Sequence, residues 1–184
     1  AGKINPIANL AGDRVYIFTG SEDSVVYSTV VERTRDFYHL LGVSADDIHF
    51  DNSVPAGHSI ITDNAEDSPL STNQPPYINN GSFIQSHHIL RHIYGDMHAP
   101  SQQLSGRLLR FDQTEFFGNE ARASMSKYGY AYVPQAVADG AAARVHIVLH
   151  GCKQGYNYID FTFGQSDFAS QPPYGNRYIM TTGY

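Results

Sequence analysis

Val15-Tyr16-Ile17-Phe18 is a run of β-branched and aromatic side chains that stops abruptly at Thr19-Gly20. A short run that is apolar throughout, rather than alternating, suits a strand covered on both faces, as in a parallel sheet. A helical pattern comes next. Val26, Val30, Phe37 and Leu41, joined by Tyr27, Val31 and Tyr38, recur at helical spacing between Ser24 and Leu41, and Gly42 supplies the stop. Ile48-His49-Phe50 then reads as a second short strand. Parallel neighbours need a crossover of a dozen or more residues, usually a helix, and this order provides one. The chain is therefore expected to be an α/β protein with a mainly parallel sheet flanked by helices.

The remainder extends that expectation. Residues 61–80, rich in Asn, Asp, Ser and Pro, read as a long surface excursion, and Phe83 to Tyr94 as a second helix stopped at Gly95. Residues 96–106 read as a loop. Strands are expected at Tyr128–Pro134 and Val145–Leu149 with a turn at Gly140 between them, and a last strand at Tyr178–Thr181. The length of 184 residues argues for a single domain spanning 1–184. A chain of this size can bury roughly 70% of its unfolded surface.

Several function classes fall away. The formal net charge of −6 is spread without long runs, and no Lys/Arg cluster is present to neutralise a row of phosphates, which argues against nucleic acid. The apolar stretches are far too short to span a membrane. Cys152 is the only cysteine, so neither an internal disulfide nor a zinc–thiolate cluster can form within the chain. The start at Ala1-Gly2-Lys3, without Met, reads as a processing point.

Open α/β sheets carry their functional groups on loops leaving the carboxyl ends of strands. Three such loops stand out: Thr19–Ser24 with Glu22 and Asp23, Asp51–His58, and His150–Gln154. An acid after one strand, a helix, a second strand and then a His is the chain order of Asp and His in α/β-hydrolase triads. There the carboxylate fixes the imidazole tautomer while the other ring nitrogen accepts the nucleophile's proton. Asp23 equally suits a helix N-cap, since it precedes the periodic segment, and His58 suits an exposed loop histidine.

The stretch Val145-His146-Ile147-Val148-Leu149-His150-Gly151-Cys152-Lys153-Gln154 has the layout of an oxyanion loop, an apolar run feeding a tight turn that presents backbone N–H groups. No Gly-x-Ser-x-Gly elbow accompanies it. Gly164-Gln165-Ser166-Asp167 is the nearest imitation, without a preceding strand or a second Gly. His88 and His92, four apart on a helix, have zinc-ligand spacing but no Glu between them and no third ligand. Cys152 near His150 offers a thiol nucleophile only if the fold brings them into contact.

The succession Val15 to Val26, Ala56-Gly57-His58, Pro76-Tyr77-Ile78-Asn79-Asn80 and Ile89-Leu90-Arg91-His92-Ile93-Tyr94-Gly95 resembles extracellular short-chain-length polyhydroxyalkanoate depolymerases. The likeness is to their type 2 catalytic domain, a circularly permuted α/β-hydrolase. It continues through Phe111-Asp112-Gln113, Met125-Ser126, Tyr128-Gly129-Tyr130, Tyr132-Val133-Pro134 and Arg144-Val145-His146 to His150-Gly151-Cys152-Lys153-Gln154.

The resemblance implies that Asp23 is the triad acid, that His58 is the general base, and that the Cys152 N–H is one oxyanion donor. It implies no metal or organic cofactor. The Ser-bearing elbow would lie in a segment N-terminal to this one, so the fold is incomplete without that segment, whether it is an N-terminal portion or a partner chain. The chain departs from the family at Gly81, near Val137 and near Ala143, where cysteines are expected, and at Ile84, which stands where an acidic residue is expected shortly after Gly81.

Two functions follow. The first is a secreted serine ester hydrolase acting on poly(3-hydroxybutyrate)-like polyesters, their oligomers or small esters. The second is a non-catalytic binding, storage or defence protein on the same scaffold. Either way, an open sheet cut here exposes an edge and apolar surface, and the chain alone is expected to be poorly stable or to aggregate.

Overall fold

The computed structural model of the chain describes residues 5–101, 103–117 and 125–154. The strand expected at Tyr178–Thr181 and the Gly164–Asp167 stretch lie outside the described residues. Two compact units are present, 5–97 with 150–154, and 98–149.

In the first unit a 3-10 turn at Ile7–Gly12 leads to β1 (Val15–Phe18), α1 (Ser28–Leu40) and β2 (Ile48–Asp51). β1 and β2 pair in parallel, from Val15 opposite Ile48 to Phe18 opposite Asp51, so the expected strand–helix–strand unit is present. α1 begins at Ser28 rather than Ser24 because Asp23 holds the preceding turn. Its Oδ1 accepts hydrogen bonds from the Val25 and Val26 N–H groups, both at 2.9 Å. The helix N-cap is Tyr27, with no side-chain cap bond, so Asp23 shapes the loop instead of capping the helix.

Residues 61–80 differ from expectation. β3 (Ile60–Thr62), β4 (Ser68–Pro69) and β5 (Ile78–Asn80) form a three-stranded parallel sheet in the order β3-β5-β4, with Ile60 opposite Ile78 and Ser68 opposite Asn79. Ile61, Thr62, Ile78 and Asn79 are buried. A polar composition signals surface only when the polar groups need water, and here the protein supplies partners for the Asn79 amide nitrogen and the Thr62 hydroxyl, while the buried Asn79 Oδ1 has none among the described residues. The Asn79 Nδ2 donates to the Leu70 and Thr72 carbonyls, both at 2.8 Å, and the Thr62 hydroxyl donates to the Asp67 carboxylate.

α2 (Gln85–Tyr94) packs on β1 and β3 and ends at Gly95, whose φ of 90° lies in the left-handed region. Leu90 is fully buried on its inner face, and such burial contributes about 1.5–3 kcal/mol. Gln85 joins helix to sheet, its Oε1 accepting the Ile61 N–H at 2.9 Å. Ile17, Val43, Ile61, Ile78 and Leu90 supply the apolar core.

The second unit contains an antiparallel pair, β6 (Arg107–Asp112) and β7 (Tyr128–Val133), running from Arg107 opposite Val133 to Asp112 opposite Tyr128, and a short α3 (Gln135–Ala138). Val145–Leu149, expected as a strand, has no strand partner among the described residues. Val145 is 84% exposed and Leu149 87%. An apolar run becomes a strand only where a neighbour completes its backbone ladder and covers its side chains.

Candidate active site

The loops leaving β1 and β2 are sewn together by their backbones. The Thr19 N–H donates to the Asp51 carbonyl at 3.0 Å, the Ser21 N–H to Val54 at 2.8 Å and the Glu22 N–H to Ala56 at 3.0 Å. Such an approach leaves no room for side chains. A Cβ on Gly20 would lie 1.9 Å from the Ala56 carbonyl oxygen, and one on Gly57 would lie 2.2 Å from that of Thr72. Glycine at these two positions lets three loops touch.

Asp23 and His58 meet in this cluster. Asp23 Oδ2 lies 2.8 Å from His58 Nδ1 while Oδ1 keeps its two backbone bonds, and the carboxylate side chain is only 6% exposed. A carboxylate can only accept, so Nδ1 carries the proton and Nε2 of the neutral ring has a free lone pair. Nε2 has no partner among the described residues, and the imidazole is 36% exposed. The Tyr77 ring stands edge-on to it at 5.1 Å and 84°. Tyr77 is buried at φ 60°, a left-handed conformation that costs a non-glycine residue about 1–2 kcal/mol.

The 150–154 turn belongs to the same compact unit. The Gly151 N–H donates to Gln154 Oε1 at 2.8 Å, and the Gln154 Nε2 donates to the Pro76 carbonyl at 3.3 Å, next to Tyr77. Cys152 is exposed with a free thiol, and its N–H has no partner among the described residues. His150 Nδ1 bonds the Gly151 carbonyl at 2.9 Å, so this ring nitrogen is turned to backbone.

The structure thus brings Asp23 and His58 into contact and ties the Cys152 turn to the segment that packs on His58. The two helix histidines go elsewhere. His88 stacks on Phe83 at 5.2 Å, and His92 Nε2 bonds the Asp47 carbonyl at 2.9 Å. Among the described residues no group of three or more His, Cys, Asp or Glu side chains is placed to hold a metal ion. Two pKa values near these elements are displaced. Burial, then the negative charge of Asp51, raises that of the Tyr16 hydroxyl against a lowering Gln85 hydrogen bond. Burial, then the charges of Arg91 and His88, lowers that of His87.

Sequence reasoning assigned no role to Asn73, Tyr77 or Gln154. Asn73 sits in a polar stretch where an Asn carries no distinguishing signal. Tyr77 and Gln154 were legible only as parts of longer matching stretches.

No family model matches the chain. A poly(3-hydroxybutyrate) depolymerase of Delftia acidovorans is 33% identical over 187 residues, a match covering 100% of this chain and 34% of that protein. Over its whole length the chain is thus similar to part of a poly(3-hydroxybutyrate) depolymerase. A polyhydroxybutyrate depolymerase of Talaromyces funiculosus is 32% identical over 186 residues, covering 99% of this chain and 49% of that protein.

Solved depolymerase structures agree. The crystal structure of the PHB depolymerase from Penicillium funiculosum matches with a TM-score of 0.80 at 29% identity, covering 98% of this chain and 55% of that one. A serine-to-alanine variant of a PHB depolymerase complexed with an R3HB trimer also gives 0.80, at 30% identity, covering 100% of this chain and 54% of that one. The chain therefore shares the α/β-hydrolase type of fold with these depolymerases. It spans between a third and about half of the length of these relatives.

Proposed function

We propose that this chain supplies the acid, the base and an oxyanion amide of a secreted serine ester hydrolase acting on poly(3-hydroxybutyrate)-like polyesters or their oligomers. The observation that carries the reading is the 2.8 Å contact between a nearly covered carboxylate and a half-exposed imidazole whose Nε2 is free among the described residues. The depolymerase homologues, one of them complexed with an R3HB trimer, support the substrate class.

In this reading a Ser from a segment outside residues 1–184 attacks the ester carbonyl. His58 Nε2 takes the hydroxyl proton as the Oγ–C bond forms, and Asp23 holds the imidazole and stabilises the imidazolium. The negative charge gathers on the former carbonyl oxygen, where the Cys152 N–H and an amide beside the Ser donate to it. Collapse expels the alcohol, which takes the proton from His58. Water, deprotonated by the same nitrogen, then attacks the acyl carbon, and His58 returns that proton to the Ser Oγ as its bond to carbon breaks and the acid leaves. No metal or organic cofactor enters these steps.

The test is a fluorophosphonate probe on the native protein together with whatever Ser-bearing segment accompanies it. Labelling should fall on that segment, and His58→Ala should lower both labelling and release of 3-hydroxybutyrate oligomers by about 10³-fold or more. Wild-type labelling in the His58→Ala protein would remove His58 as base. Absence of both labelling and short-ester hydrolysis would leave the non-catalytic scaffold as the standing alternative.

A further inference from the structure

We propose that Asn73 is the positioning residue that holds the Asp23–His58 pair in register, an inference that rests on the hydrolase reading above. Its Oδ1 accepts the Ser24 N–H at 3.0 Å and the His58 N–H at 2.9 Å. Its Nδ2 donates to the Glu22 carbonyl and the Ser71 carbonyl, both at 3.1 Å. A primary amide offers two acceptor sites and two donors, and all four are used. The partners also fix the orientation, because backbone N–H groups can only donate and carbonyls can only accept. Turning the amide over would set donor against donor and acceptor against acceptor.

The partners' identity gives the bonds their meaning. Glu22 and Ser24 flank Asp23 on either side, and the fourth bond keeps the amide on its own loop at Ser71. One planar group therefore grips the acid loop on both sides of the carboxylate and the backbone of the base itself. The Gly20 and Gly57 approaches bring the loops together, and the Asn73 amide sets how far one can slide along the other. Beneath it, the Asn79 Nδ2 bonds to the Leu70 and Thr72 carbonyls anchor the segment that carries Asn73 to the buried sheet.

No other residue type reproduces this set. An aspartate keeps the two acceptor bonds but turns a carboxylate oxygen toward the Glu22 and Ser71 carbonyls. An alanine loses all four bonds. Loss of the grip frees the imidazole to drift, and a displacement of about 1 Å at a catalytic group costs on the order of 10²-fold in rate.

The experiment is a double-mutant cycle on the full-length protein with a soluble p-nitrophenyl butyrate ester, comparing Asn73→Ala, Asn73→Asp and His58→Ala alone and combined. Asn73→Ala should lower kcat about 10–100-fold with KM within about twofold, and Asn73→Asp should recover part of that loss. Neither should lower kcat further once His58 is alanine. The downfield proton resonance of the His58 Nδ1–H should weaken or shift in Asn73→Ala, a readout that needs no turnover.

Equal losses in the presence and absence of His58, or an unchanged kcat and resonance in a folded Asn73→Ala protein, overturn the inference. Should Asn73→Ala fail to fold, Asn73→Asp carries the same comparison, and wild-type kcat there overturns it too. A His58→Ala protein that turns over normally instead sinks the hydrolase reading. A dead His58→Ala protein beside a silent Asn73→Ala sinks only this one.

Discussion

Val15–Phe18 and Val145–Leu149 are close in length and character, yet their surroundings differ completely. The first pairs with β2 and is packed by α2, and its Ile17 is buried. The second has no ladder partner among the described residues, and its Val145 and Leu149 stand almost fully in solvent. The contrast extends to the units that hold them. Every buried residue among those described lies between Ile17 and Leu90, and the residues described from 98 to 149 include none. Apolar sequence supplies the capacity for burial, and only a neighbour turns it into stability. The acid and the base of the proposed site stand in the region that has its neighbours, whereas the proposed oxyanion turn follows directly on the run that lacks them.

The largest effect that probes this contrast is cavity formation. Leu90→Ala in this 184-residue chain should lower unfolding stability by roughly 3–4 kcal/mol, whereas Leu149→Ala should change it by less than about 0.5 kcal/mol. Urea titrations of the two variants decide the matter, and equal losses would show that Leu149 is covered in solution.

A smaller effect is expected at the loop junction. Gly20→Ala forces a methyl group against the Ala56 carbonyl, at a cost of roughly 2 kcal/mol, and pushes the acid loop off the base loop. Thermal denaturation should register the loss. A hydrolysis assay of the full-length protein should lose more than the melting shift alone explains, and an unaltered rate would show that the loops tolerate separation.

The smallest effect is a pH dependence confined to the covered region. The folded state raises the pKa of the Tyr16 hydroxyl through burial first and the Asp51 charge second, so it holds that proton more tightly than the unfolded chain does. The corresponding stability is complete below the ordinary tyrosine value near 10 and is lost as pH rises through the raised one. Tyr16→Phe should therefore flatten the alkaline limb of the stability profile. A limb of undiminished slope would assign it to other groups.

The parts legible in the sequence were those whose cause is local. The β1–α1–β2 unit announces itself because an apolar run, a helical period and a stopping glycine are neighbours in the chain. The loop order suggested Asp23 and His58 because strand ends gather functional groups whatever the intervening residues are. Residues 61–80 were opaque for the opposite reason. The Asn79 and Thr62 side chains are buried through hydrogen bonds to partners elsewhere in the excursion, and nothing in a count of polar residues distinguishes that from solvation. Asn73 was hidden likewise, since three of its four bonds reach other loops of the chain. Val145–Leu149 read correctly as an apolar run and wrongly as a strand, because strand formation is a property of the pair.

The two oxygens of Asp23 divide their duties, one on the Val25 and Val26 amides and the other on the imidazole. A carboxylate bound on one side only spins about its terminal torsion and samples twofold-related positions. Bound on both, it surrenders that rotation during folding. The entropy of aligning acid and base is thereby spent once, when the chain folds, rather than at every turnover, so the activation entropy of the chemical step carries no share of it.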